Sequence, residues 1–222
     1  MSAANAPLAV ITGGQGALGQ ALTRILREGG WDVRSPGRSE LDVTCGESVH
    51  RFFSDLPGCR ALILNAGTTG DSPVARLTPE RWQHVMTTNL RGAMACTRAA
   101  LPLLLRTGGG QLIYIGSRAG LSGAIGQAAY AASKAALVAF SASMAREYGA
   151  KGIQSNVVLP GWMDTAMTRR APAAAAQRAL ESHTLGRFTT TDESARFIAF
   201  LLTCTSISGQ VFHLDSRPAI PF

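Results

Sequence analysis

Leu8-Ala9-Val10-Ile11-Thr12-Gly13-Gly14-Gln15-Gly16-Ala17-Leu18-Gly19 decides the fold. A short apolar run, Leu8 to Thr12, reads as a strand buried on both faces. A glycine-rich turn follows. Ala17 to Gly29 then places Leu18, Leu22, Ile25 and Leu26 on one helical face, and Gly29-Gly30 stops the helix. Glycine is required where a chain turns sharply, approaches a pyrophosphate, or packs a helix closely on a strand. The helix start adds free N–H groups and a positive dipole end. Gly13, Gln15, Gly16, Ala17, Leu18 and Gly19 are therefore candidate phosphate contacts. Alone, such a turn is also compatible with a purely structural role; its strand–turn–helix context favours a dinucleotide.

Working outward, the alternation continues. Trp31 to Ser35 reads as a second strand, and Leu41 to Thr44 as either the end of a third strand or a loop at an adenine pocket. Ser48 to Phe53 is a short helix, and Ala61 to Leu64 a strand leading into Asn65-Ala66-Gly67. Pro79 to Leu105 holds two helices. Gln111 to Gly116 is a strand, Tyr130 to Tyr148 a long helix, and Gln154 to Leu159 a strand ending in Pro160-Gly161. Asp192 to Leu202 is a helix and Gly209 to Leu214 a last strand. About seven strands with helices between them predict a single α/β domain: a Rossmann-type, doubly wound parallel sheet over residues 1–222. Residues 1–7 read as a flexible tail. Residues 165–184, with the alanine-rich helix start 171–176 and Pro172 near its first turn, suit a substrate lid.

Bulk properties narrow the function classes. A chain of 222 residues with 46% hydrophobic and 16% charged residues is of ordinary globular composition. No apolar run approaches the ~20 residues of a membrane span, and the N-terminus lacks a signal-peptide pattern, so a cytoplasmic location is expected. Cys45, Cys59, Cys96 and Cys204 fit no metal-binding spacing, so free thiols and no metal are expected. The net charge of +7 is spread singly and in pairs, which argues against a nucleic-acid partner.

After the second strand, a carboxylate would bond a ribose 2′-hydroxyl and favour NAD(H). Here the stretch is Arg34-Ser35-Pro36-Gly37-Arg38-Ser39, with Glu40 beyond it. Arg38 and Ser39 suit a 2′-phosphate, which favours NADP(H), although Arg38 also reads as a solvated turn residue. Asp42 and Val43 are expected to flank the adenine.

Tyr130-Ala131-Ala132-Ser133-Lys134 places Tyr130 and Lys134 on one helical face. The cationic Lys134 is expected to lower the phenol's pKa so that it exchanges a proton with a substrate oxygen. Ser117, ending the preceding strand, can bond the same oxygen.

With these residues the chain resembles the short-chain dehydrogenase/reductase family over nearly its whole length. The carriers are the turn at 12–19, Asn65-Ala66-Gly67, Asn89 within Asn-Leu-Arg-Gly, Ser117, Tyr130 with Lys134, and Pro160-Gly161 with Thr165. Within the family it looks most like 3-oxoacyl-carrier-protein reductases, on the stretches 126–136, Leu185-Gly186-Arg187-Phe188 and Ser208-Gly209-Gln210-Val211. The resemblance implies an oxidoreductase that moves hydride between NADP(H) and a ketone or secondary alcohol, with a 3-oxoacyl thioester on an acyl-carrier protein as one candidate. It implies Tyr130 as general acid/base, Lys134 on the phenol and the ribose hydroxyls, Ser117 on the carbonyl, and Asn89 holding a relay water. Asn65, Ala66 and Gly67 would line the adenosine side. Pro160, Gly161, Met163 and Thr165 would hold the nicotinamide. Arg169 and Arg170 are candidates for an acidic carrier or for a solvated face. A homodimer or homotetramer through helices near 91–105 and 130–148 is implied as well.

Three departures stand out: Ala17 in place of a usual glycine, little room for a helix between strands two and three, and Asp215-Ser216-Arg217 where the family usually has Asp-Gly-Gly. A non-catalytic NADP(H) sensor or scaffold is the alternative reading, disfavoured because Tyr130 and Lys134 are both present. An epimerase or dehydratase using the same pair is disfavoured by the short C-terminal region.

Overall fold

The computed structural model describes residues 6–166, 168–170 and 173–218. Residues 1–5 of the expected tail, and Pro172, lie outside them.

Strand β1 (Leu8–Ile11) is buried at all four positions. It leads through the glycine turn into helix α1 (Ala17–Glu28), which sends Leu18, Ala21, Leu22 and Leu26 into the core. Strand β2 (Asp32–Arg34) and helix α2 (Gly46–Ser54) follow. Strand β3 (Ala61–Leu64) ends in Asn65-Ala66-Gly67. Helix α3 (Pro79–Met86) starts on Thr78, whose hydroxyl accepts from Arg81 N, with Pro79 in the first turn. A wider π-type turn, Thr87–Arg91, joins it to helix α4 (Gly92–Arg106). Strand β4 (Gly110–Ile115), short helix α5 (Ala119–Ser122), long helix α6 (Ala128–Tyr148) and strand β5 (Ile153–Leu159) come next. Helix α7 (Ala173–Glu181), helix α8 (Thr191–Leu201) and strand β6 (Val211–His213) complete the order.

The strands form one sheet in the order β2-β1-β3-β4-β5-β6, every neighbouring pair parallel. The fold is the expected doubly wound α/β sheet, with six strands among the described residues rather than about seven. The missing one is the Leu41–Thr44 stretch, which takes the loop alternative. Between Arg34 and Gly46 the chain has no length for a crossover helix and a return strand, and parallel pairing needs both. Leu41 and Val43 are buried all the same, so their apolar character serves the core without a strand. Asn65-Ala66-Gly67 accordingly follows the third strand, not a fourth.

Two cores lie on the two faces. One packs Val49, Phe53, Cys96, Leu104, Leu137 and Met144 from α2, α4 and α6 against the sheet. The other packs Leu22, Leu26, Ile198 and Leu201 from α1 and α8. Cys59 and Cys96 are buried free thiols, pushed up to about 12 by desolvation. The strand order reverses between β1 and β3, which opens a crevice at their carboxyl ends, the usual ligand position in such sheets.

Candidate active site

Crowding builds the crevice floor. Gly13 has φ +66°, and a Cβ there would lie 2.9 Å from Ala66 Cα. A Cβ on Gly14 would lie 2.3 Å from Ser35 O, so the turn rests directly on the end of β2. Gly19 is needed for packing, since its Cβ would meet Gly13 O at 2.6 Å. Ala17 is exposed at the first position of α1, so its methyl costs the turn nothing. Asn65 Nδ2 donates to Thr12 O at 3.1 Å and Gly13 O at 3.0 Å, while Thr12 Oγ1 accepts from Asn65 N and Ala66 N. The glycine turn is thereby stitched to the end of β3.

The helix ends differ in a way that matters. Helix α8 closes its own N-terminus with a Thr190–Glu193 capping box, and those bonds with Arg187 hold Glu193 down to about 2. Helix α1 starts on Gly16 with no side-chain cap and no acidic residue in its first turn. Its leading N–H groups face the crevice, where an anion would satisfy them.

The crevice runs through adjoining cavities. The inner one, about 410 Å³, is lined by Gly13, Gly16, Ala17 and Leu18 on one side, by Asn65, Ala66, Gly67, Ser117, Tyr130 and Lys134 across it, and by Pro160, Gly161, Met163 and Thr165 at the far end. An outer cavity, about 260 Å³, shares Gly13, Ala66 and Gly67 with it and adds Arg38, Asp42, Val43 and Thr88. Gln15, Gly19 and Ser39 line neither. Gln15 instead lies over Gly37. Arg38 has a 77% exposed side chain, 3.4 Å from Asp42, and Asp42 is held below its ordinary value by Thr44 hydrogen bonds before Arg38 adds its charge.

Lys134 Nζ is buried and donates to Ile115 O at 2.7 Å. Desolvation lowers it to about 8. Tyr130 lies half-buried, and desolvation pushes its phenol above the ordinary value; Ser117 pulls it down and the Asp71 charge pushes it up. The direction is opposite to that expected from the helical spacing. Nζ stands 5.7 Å from the ring centroid and is itself short of solvent, so in this chain burial outweighs it.

Asn89 is buried within the π-type turn. Its Oδ1 accepts from Thr68 N at 2.8 Å, and its Nδ2 donates to Thr68 O at 2.9 Å and Ser133 Oγ at 3.0 Å. A Cβ on Gly67 would lie 3.4 Å from Asn89 Oδ1 and 3.6 Å from Lys134 Nζ, so these three residues converge. The structure thus gathers Ser117, Tyr130 and Lys134 around one end of the inner cavity, while Asn89 lies buried behind Gly67 and lines none of it.

Residues 1–216 match the family model described as enoyl-(acyl carrier protein) reductase. The chain is a short-chain dehydrogenase/reductase. A curated 3-oxoacyl-[acyl-carrier-protein] reductase FabG of Vibrio cholerae is 31% identical, over 94% of this chain and 95% of its own length. The Thermotoga maritima FabG is 33% identical over 76% of this chain and 70% of its own length. The Mycobacterium tuberculosis reductase MabA is 33% identical over 93% and 90%. In this short-chain dehydrogenase/reductase, sequence reasoning passed over two residues. Gly14 had its signal in the doubled glycine; its need comes from Ser35, across the sheet. Thr88 stands beside Asn89, and its Oγ1 is buried with no partner among the described residues.

Thr88 lines the outer cavity, but that hydroxyl is closed off from it. The uncapped start of α1 and the glycine cradle make the crevice fit a dinucleotide. Arg169, considered for a carrier, pairs with Asp164 at 2.7 Å, and the side chain of Arg170 lies outside the described residues. No helix among the described residues is long and apolar enough to cross a membrane.

Proposed function

We propose that the chain is an NADP(H)-dependent reductase of ketones, working reversibly on the corresponding secondary alcohols, with a 3-oxoacyl thioester on an acyl-carrier protein as substrate and Tyr130 as the general acid/base. The observation that carries the reading is the meeting of the Ser117 hydroxyl, the Tyr130 phenol and the buried Lys134 at the end of a dinucleotide-shaped cavity. A nicotinamide bound there supplies or takes the hydride. Every other task falls to the protein.

Gly16, Ala17 and Leu18 hold the pyrophosphate on the start of α1. Asp42, Val43 and Thr88 hold the adenine, and Arg38 the 2′-phosphate. Met163, Gly161 and Thr165, braced by Thr168 Oγ1 on Met163 O and Thr165 N, hold the nicotinamide end. Ser117 donates to the substrate oxygen, and Tyr130 gives it a proton as negative charge develops. Lys134 holds the ribose hydroxyls and stabilises the phenolate left behind. Both donors of the Asn89 amide are committed to Thr68 and Ser133, so its side chain braces the site and offers no free N–H to a relay water. The segment 165–184, carrying α7, covers the substrate. The relatives named as carrier-protein reductases support the thioester reading. A cytoplasmic location and a homodimer or homotetramer belong to the same proposal.

The test follows NADPH absorbance with a 3-oxoacyl thioester surrogate. NADPH oxidation is expected, and Tyr130→Phe is expected to slow it by about 10²–10⁴-fold while cofactor binding persists. A wild-type chain that binds NADPH and oxidises it with no member of a broad carbonyl panel would be a sensor or scaffold instead.

A further inference from the structure

Ser117 and Tyr130 also line a side cavity, about 210 Å³, that leads away from the dinucleotide crevice. It is below the ~300 Å³ at which sites for drug-sized ligands begin, so it takes a small group. Trp162 lines it, and so do two guanidinium groups, Arg118 and Arg217. Neither is needed by the chemistry proposed above, and Arg217 stands where the family usually has glycine.

Both are held in place. Arg217 donates Nε to Asp215 Oδ2 at 2.8 Å, Nη2 to the same oxygen, and its main-chain N to Asp215 Oδ1 at 3.1 Å. The side chains of Arg217 and Asp215 are 15% and 4% exposed. Asp215 is itself fixed against Gly161, where an added Cβ would come within 2.6 Å of it. Arg118 Nη1 donates to Pro218 O at 2.9 Å. Arg217 Nη1 and Arg118 Nη2 have no acceptor among the described residues. Behind them His183 is buried, and desolvation with the nearby Arg217 and Arg118 charges holds it below its ordinary value, hence neutral at pH 7. Asp71, across the cavity, is exposed and accepts from Gln127 Nε2 at 3.1 Å. The wall formed by Arg118, Arg217 and Asp215 carries one net positive charge and Asp71 opposite it one negative, so the draw on an anion is the free guanidinium donors rather than net charge. A neutral acyl chain would strip water from those donors and give nothing back. A carboxylate supplies two oxygens in the geometry a guanidinium prefers.

We propose that Arg217 and Arg118 form a carboxylate subsite, and that the substrate is a short ketone, or its secondary alcohol, bearing a carboxylate on the side remote from the cofactor. This rests on the reading that Ser117 and Tyr130 hold the reacting oxygen; it keeps the reductase and sets a short keto acid in place of the carrier-borne thioester as substrate.

The experiment compares 4-oxopentanoate and 5-oxohexanoate with their methyl esters as substrates of the full chain with NADPH. At least one acid is expected to exceed its ester in kcat/KM by about tenfold or more, the worth of a charge-assisted bond. Arg118→Gln, and Arg217→Lys, which keeps a cation beside Asp215, should bring that ratio close to one. With NADP+, which a ketone cannot oxidise further, the same acid should quench fluorescence of the wild type and not of Trp162→Phe. Equal rates for acid and ester, a preference that survives Arg118→Gln, or quenching by inorganic phosphate at the same concentrations would overturn the subsite. Ester turnover in that case leaves the reductase reading standing. If no ketone is reduced, the reductase reading fails, and the quenching measurement alone decides the subsite.

Discussion

Lys134 is a buried cation with one hydrogen-bond acceptor among the described residues, Ile115 O at 2.7 Å. Holding it from 10.5 down to about 8 costs the folded chain about 3 kcal/mol below pH 8, at 1.36 kcal/mol per pH unit. Between about pH 8 and 10.5 the unfolded chain keeps that proton and the folded chain has released it, so this group's penalty fades as pH rises. Lys134→Met is therefore expected to be inactive yet more stable than the wild type at pH 7 in cofactor-free urea denaturation, with the gap closing by pH 10. A gap that widens with pH would refute the strained-lysine account. Arg38 poses the opposite case, exposed and held loosely by Asp42. Arg38→Ala should weaken NADPH binding by about tenfold or more and leave NADH unchanged, as measured by fluorescence titration, because one charge-assisted contact is lost. At this scale the sequence pointed to Ser117, Tyr130 and Lys134 through their spacings along the chain, and the structure brings the three to one cavity. Thr88 and Arg118 were not legible, and Arg217 showed only as a departure from the family pattern. Their meaning lies in cavities that bring residues far apart in sequence to one wall.

The glycine turn shows what an element adds to a motif. Its spacing pointed to a phosphate site with Ala17 as a departure, and the structure shows that this methyl is exposed, whereas Gly14 is pressed on Ser35 O. Gly14→Ala should lower stability by about 1–3 kcal/mol through overpacking and abolish dinucleotide binding. Ala17→Gly should cost no more than about 1 kcal/mol and leave binding within a few-fold. Thermal melts with and without NADPH measure both; a harmless Gly14→Ala would show that the turn does not rest on β2 as described. Strand and helix positions were legible here because β1, β3 and β4 are buried along their whole length and α1 has one apolar stripe. Leu41–Thr44 was ambiguous for a physical reason. Buried apolar residues look alike in a strand and in a loop that lines a core.

At the scale of the whole molecule, one face of α6 stands open to solvent. Its sequence is apolar on almost every side, and a helix of that kind is normally enclosed. The face away from the sheet presents Ala135, Ala139 and Ser143 to solvent. The parallel-sheet side of the helix already carries Leu137, Ser141 and Met144 inward. Next to it α4 exposes Met94 and Leu105. Small residues let a second backbone approach closely, and a two-fold axis would set such a face against its own copy. Such an interface would also steady the helix that carries Tyr130 and Lys134, which ties assembly to activity. Light scattering on the eluting protein is expected to give a dimer or tetramer of the 23.3 kDa chain. Ala139→Glu, which places a charge on that face without touching either core, should shift the population to monomer and lower kcat through loss of order in α6. A wild type that runs as a monomer at micromolar concentration would leave the alanine face of α6 as ordinary exposed surface, and Ala139→Glu would then change neither mass nor rate.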